Sequence, residues 1–165
     1  MRRRLAFIVA VTLVAAAPLL RAASKTDTLA VSASVTARAK LTLSASSMTF
    51  ADADPDTTPS VPASGGALTI TAKARTTLGS AVSLVVRAST DLQSGLDTIA
   101  VGNLTWTATG TGFVAGTMNR TTSQTVGSWV SSGLFTGTQT YALANSWNYS
   151  TGTYTTTLTY TLTAP

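Results

Sequence analysis

Three aspartates at alternate positions, Asp52, Asp54 and Asp56, have the spacing with which a loop converges oxygens on a hard cation such as calcium. The rest of a calcium loop is missing: Thr57 stands where the sharp turn needs glycine, Ala63 where a bidentate glutamate closes the site, and Pro55 stiffens the middle. A solvated acidic turn after Phe50 is the expectation, with a weak calcium site at Asp52, Asp54 and Asp56 as the alternative. The chain contains no histidine, cysteine or glutamate. General bases, nucleophilic triads and metal clusters therefore reduce to six scattered aspartates, and neither Gly-x-Ser-x-Gly, Ser-x-x-Lys nor Asp-Thr-Gly occurs. No enzyme is expected, and with it no catalytic residue, no cofactor, no metal and no small-molecule substrate. The remaining candidates are aromatic: Trp129 and Trp147 lie near Gly/Ser turns and are candidate exposed platforms for a glycan or a partner.

The elements that would position such groups read as strands. In Thr153 to Thr163 threonine occupies every odd position, while Tyr154, Leu158, Tyr160 and Leu162 fall on even ones. Alternate residues of a strand point to opposite faces, so this one turns an apolar row to a core and a hydroxyl row to water. Alternation recurs at Leu29 to Ala37, Leu68 to Ala74, Val82 to Ala88, Leu104 to Ala108 and Tyr141 to Tyr149. Turn chemistry separates the runs at Asp54-Pro55-Asp56, Pro59 to Gly66, Leu78-Gly79, Gly110 to Gly112, Ser132-Gly133 and Ser150 to Gly152. No amphipathic helix follows residue 23. The expected fold class is all-β, an antiparallel immunoglobulin-like β-sandwich.

Residues 1–22 read as a secretory signal, with Arg2, Arg3 and Arg4 as the basic start, Leu5 to Leu20 as the apolar stretch and Ala22 as the small residue at the cut. Residues 23–165 then form a single domain, of which 23–37 is either an ordinary first strand or a detachable arm. Removal of the signal leaves seven basic residues against six aspartates, a net charge of +1. That is too small and too scattered for a phosphate-tracking surface, so nucleic acid is excluded as a partner. The expected location is secreted, at a cell surface or in the periplasm, and stability must come from packing and ladder hydrogen bonds because no disulfide can form.

Leu29 to Ser44, Met48-Thr-Phe50, Ala67 to Thr71 and Gly152 to Thr163 together resemble the spore coat protein U and archaic chaperone–usher pilin group. The resemblance implies an incomplete immunoglobulin-like sandwich that polymerises by lending an N-terminal strand to the next subunit. It implies a structural subunit of a bacterial surface appendage or coat, with copies of itself or related subunits, and a periplasmic chaperone, as partners. Leu29, Val31, Ala33 and Val35 would be the strand donor, and Tyr154, Leu158, Tyr160 and Leu162 the acceptor edge. Domains of that group carry a disulfide whose positions correspond to Ala39 and Ala72, which implies that these two side chains face each other. The C-terminal residues Tyr154, Leu158, Tyr160, Leu162 and Pro165 also resemble the closing motif of WxL domains, surface modules that hold cell-wall glycan or a partner protein. Tyr160 stands where that motif has tryptophan, and Trp106 is followed by Thr107-Ala108 rather than x-Leu.

Overall fold

The computed structural model describes residues 23–165, so the signal-peptide reading of 1–22 lies outside the described residues. Twelve strands follow in chain order: β1 (Arg38–Leu43), β2 (Thr49–Phe50), β3 (Ser60–Ser64), β4 (Leu68–Arg75), β5 (Ala81–Ala88), β6 (Leu92–Ser94), β7 (Asp97–Ile99), β8 (Leu104–Thr109), β9 (Gly116–Thr117), β10 (Gln124–Val130), β11 (Gly133–Ala144) and β12 (Leu158–Thr163). The only helical element among the described residues is a single 3-10 turn, Val101–Asn103.

The twelve-residue β11 organises the larger, seven-stranded sheet. Its first half pairs with β4 and its end with β3, while β8 runs along its other edge; β1 lies beyond β4, β2 beyond β3 and β9 beyond β8. The second sheet has the order β10-β5-β12, and β6 and β7 form a separate hairpin. Every pairing is antiparallel.

The two sheets face each other across one core, and the alternation that forms each strand also decides its inward face. Ile70 and Ala72 of β4 meet Val82, Leu84 and Val86 of β5, all fully buried, while Thr69, Lys73 and Arg75 point to solvent. Burial of such side chains at about 25 cal/mol per Å² is the main force joining the layers. At one end Trp129 stacks on Phe135 with ring centroids 4.4 Å apart, and Phe113 meets it edge-on at 4.9 Å. Glycines make room for these rings: a side chain at Gly137 would run into the Phe113 ring and the Thr109 carbonyl.

The strands at 68–75, 81–88 and 104–109 coincide with the alternating runs. Other segments differ, each for a local reason. Leu29 to Ala37 forms no strand, and the first one begins at Arg38. The run through Tyr149 stops at Ala144, where the Asn145 amide donates to the carbonyls of Ala53 and Thr58 and turns the chain out of the ladder. In the last run only Leu158 onward is strand; Thr155 makes a lone bridge to Gln93. Pro59 to Gly66, read as turn, contains the strand β3 between β11 and β2, whose Pro62 lacks only one ladder donor. Ala39 stands opposite Ala74 and Ala72 opposite Leu41, so Ala39 and Ala72 are diagonal neighbours rather than a facing pair. Diagonal positions lie about 7–8 Å apart, too far for the geometry of a disulfide.

Candidate strand-acceptor groove

An edge strand normally exposes unpaired N–H and C=O groups. Here one edge of each sheet comes to the same side of the sandwich: β1 ends the β4 side of the larger sheet and β12 ends the smaller one. Their nearest Cα atoms come within 8 Å, yet the two strands share no ladder. Register explains which ends meet. Because β1 is antiparallel to β4 and β12 antiparallel to β5, Arg38 lies beside Arg75, and the Thr76 hydroxyl donates to the Pro165 carbonyl at that end. At the other end the strands part, and Leu43, Met48, Ala63, Leu68, Leu158 and Tyr160 line a concavity of about 430 Å³.

Side chains along this opening differ from those of the core. Tyr154, Leu158, Tyr160 and Leu162 face inward and Thr155, Thr157, Thr159 and Thr161 face water, the parity expected from the sequence. The inward row, however, is only partly buried, and so are Leu41, Leu43, Met48 and Phe50 across the gap, whereas Ile70 and Leu84 one strand further in are completely enclosed. The sandwich thus leaves its hydrophobic interior open along β1 and β12, with apolar side chains as walls and unused backbone donors and acceptors on both rims.

Three polar groups sit under the groove. Gln139 is 0% exposed; its Oε1 lies 2.6 Å from the Tyr160 hydroxyl and 3.1 Å from the Tyr141 hydroxyl, which are themselves 2.5 Å apart, and the two phenol protons fill two of these three contacts at a time. Gln139 Nε2 has no partner among the described residues. Burial, above all, raises the pKa of the Tyr141 phenol, and the adjacent Tyr160 raises it further. Burial likewise pushes Tyr160 up to about 12, with the hydrogen bond to Tyr141 opposing it. Both stay neutral at any physiological pH and act as hydrogen-bond groups.

The remaining candidates lie elsewhere. Leu29, Val31, Ala33 and Val35 belong to a strand-free segment, and Leu29, Val31 and Val35 are 87%, 85% and 69% exposed. Trp147 is 69% exposed, with its indole N–H donating to Asp56 Oδ1 at 3.0 Å. Trp129 corrects the expectation of a platform: it is 8% exposed, between Phe113 and Phe135, and its N–H donates to the Thr111 carbonyl. In β10 a bulge between Thr125 and Gly127 breaks the alternation, so that Val126 and Trp129, three residues apart, both face inward. The aspartates do not gather around a cation: Asp54 Oδ1 accepts from the Asp56 N–H, Asp56 Oδ1 from Trp147, and no metal-holding cluster occurs among the described residues. Leu41, Leu43 and Gln139 went unnoticed as site residues. The first two alternate in the sequence, but nothing local shows that β1 would be an edge, and an isolated glutamine in a threonine-rich run carries no signal of burial.

Protein-family models, curated proteins and solved structures offer no match to this chain.

Proposed function

We propose that this chain is a non-enzymatic, exported structural subunit of a bacterial surface appendage or coat that assembles by β-strand addition. In this reading the sandwich is immunoglobulin-like and lacks the strand that would join β1 to β12. A neighbour supplies it with the segment around Leu29, Val31, Ala33 and Val35. The observation that carries the proposal is the open seam: two unpaired edges with a partly buried apolar row on each, in a chain that also holds an exposed, alternating, strand-free segment. A strand laid in the seam would satisfy both rims with backbone bonds and bury Leu29, Val31 and Val35 at roughly 1.5–3 kcal/mol each.

The local sequence favours donation to another copy over closure at home. To lie along its own β1, the segment would have to reverse at Thr36-Ala37-Arg38. That stretch contains no glycine, proline, asparagine or aspartate to adopt a hairpin turn. Head-to-tail donation does not close on itself, so it builds fibres. Size-exclusion and negative-stain microscopy of the chain from residue 23 onward test this. Concentration-dependent filaments that vanish when 23–37 is deleted or Val31 is changed to Asp support the proposal; a strict monomer with or without 23–37 overturns it.

A further inference from the structure

Two of the three tryptophans are spent on the interior. Trp106 is 2% and Trp129 8% exposed, and each gives its N–H to a backbone carbonyl, Val114 and Thr111 respectively. Trp147 is built differently. It stands on the loop after β11, largely in solvent, and its one polar atom is committed to the Asp56 carboxylate of the opposing 54–57 turn. That turn is itself held by the Asp54 side chain and by Asn145, which bonds both Ala53 and Thr58. A lone exposed apolar side chain is ordinary in itself, but the Trp147 indole is tethered. This one is fixed in orientation and presents an apolar face with its hydrogen-bonding need already met.

The ring borders a second concavity, of about 890 Å³, whose wall also carries Tyr149, Tyr154, Asp52, Asp54 and Thr151. The phenols are occupied as well, Tyr149 on the Ala144 carbonyl and Tyr154 on the Ser150 carbonyl, so they offer rings rather than free hydroxyls. Aromatic faces beside carboxylates and hydroxyls match a ligand that is apolar on its C–H face and ringed with hydroxyl donors. Charge narrows the class. Residues 51–66 and 145–157 contain three carboxylates and no lysine or arginine, which repels uronates, phosphates and other anions.

We propose that Trp147, held by Asp56, is the platform of a binding site for a neutral oligosaccharide. The indole stands outside the strand-donation groove, since Trp147 lies on neither β1 nor β12, while Met48 and Leu158 border both concavities. The test is intrinsic fluorescence and calorimetric titration of the chain from residue 23 onward with N-acetylchitohexaose, maltohexaose and cellohexaose, and with polygalacturonate as an anionic probe. Saturable binding of at least one neutral sugar is expected, weakened by about tenfold or more in Trp147→Ala, largely kept in Trp147→Phe and weakened in Asp56→Ala. Filament formation should be the same in all three variants. Failure of all three neutral sugars to bind, equal binding by Trp147→Ala with circular dichroism unchanged, or preference for polygalacturonate would overturn the proposal. So would loss of filaments in Trp147→Ala, which would make the ring a contact between subunits.

Discussion

Leu158→Ala separates an open groove from a filled one. Leu158 is partly buried, with the concavity on its solvent side, so truncation leaves no sealed void. The cost in the isolated subunit is then the transfer of the lost methyl and methylene groups alone, at ~0.8 kcal/mol each and discounted for partial exposure, or about 1.5–2 kcal/mol. With a donated strand seated above it, the same truncation makes an enclosed cavity, and the loss should rise to roughly 3–4 kcal/mol. Ile70→Ala, at a position with no exposure, should cost about the same in both states. Thr159→Ala, on the water face, should stay within about 0.5 kcal/mol in either. The assay is denaturant titration at one fixed chain concentration, comparing filaments with subunits kept apart by Val31→Asp. Equal losses for Leu158→Ala in both states would mean that nothing enters the groove. A loss at Thr159 matching that at Leu158 would mean that both faces of β12 are covered.

Other consequences follow from the core. Tyr141 and Tyr160 have folded-state pKa values above the ordinary 10.0, so the unfolded chain loses those protons first as pH rises. Stability should be insensitive to these groups below pH 10.0 and fall between there and about 12, with phenolate absorbance appearing in a late phase that coincides with unfolding; early, reversible ionisation of every tyrosine would contradict the buried Gln139–Tyr141–Tyr160 cluster. Gly137→Ala should destabilise by about 1–3 kcal/mol because the new methyl meets the Phe113 ring and a carbonyl, whereas Gly102→Ala, where a Cβ meets nothing within 4 Å, should be near neutral in the same thermal melt. Trp106→Ala should cost about 3–5 kcal/mol in a denaturant titration, and Trp147→Ala under about 0.5.

Much of the fold was legible because strand parity is local. Leu68 to Ala74 and Val82 to Ala88 alternate without interruption, and their inward faces are the ones the pattern marks. Tyr154, Leu158, Tyr160 and Leu162 were likewise placed on the correct face. What could not be read is pairing, which depends on residues far apart in sequence. Leu29 to Ala37 alternates as well as β4 does, yet has no ladder, because alternation specifies a strand's faces and not its neighbours. The same gap hid β10, where a bulge between Thr125 and Gly127 breaks the two-residue period. Trp129 and Trp147 sit beside similar turns; what separates them is that Gly112 and Gly127 clear a slot for Trp129, while Asp56 holds Trp147 outside. Gln139 occupies an inward position of β11 between Gly137 and Tyr141, and only the register with β12 shows that two phenols meet it there.

The absence of cysteine allows the central claim to be tested by pairwise cross-linking. Single cysteines placed at Ser32 in one preparation, and at Thr42 of β1 or Thr161 of β12 in another carrying a size tag, are mixed, assembled and oxidised. A strand lying between β1 and β12 is one strand spacing, about 4.8 Å, from each, within the reach of a disulfide at matching register. Scanning the donor cysteine from Val31 to Val35 should give cross-links from the donor segment of one chain to both Thr42 and Thr161 of another. Bonds to both rims, between differently tagged chains, are the predicted result. Bonds only within a chain, bonds to neither rim, or cross-linking between the rims themselves in filaments would contradict strand donation into this groove.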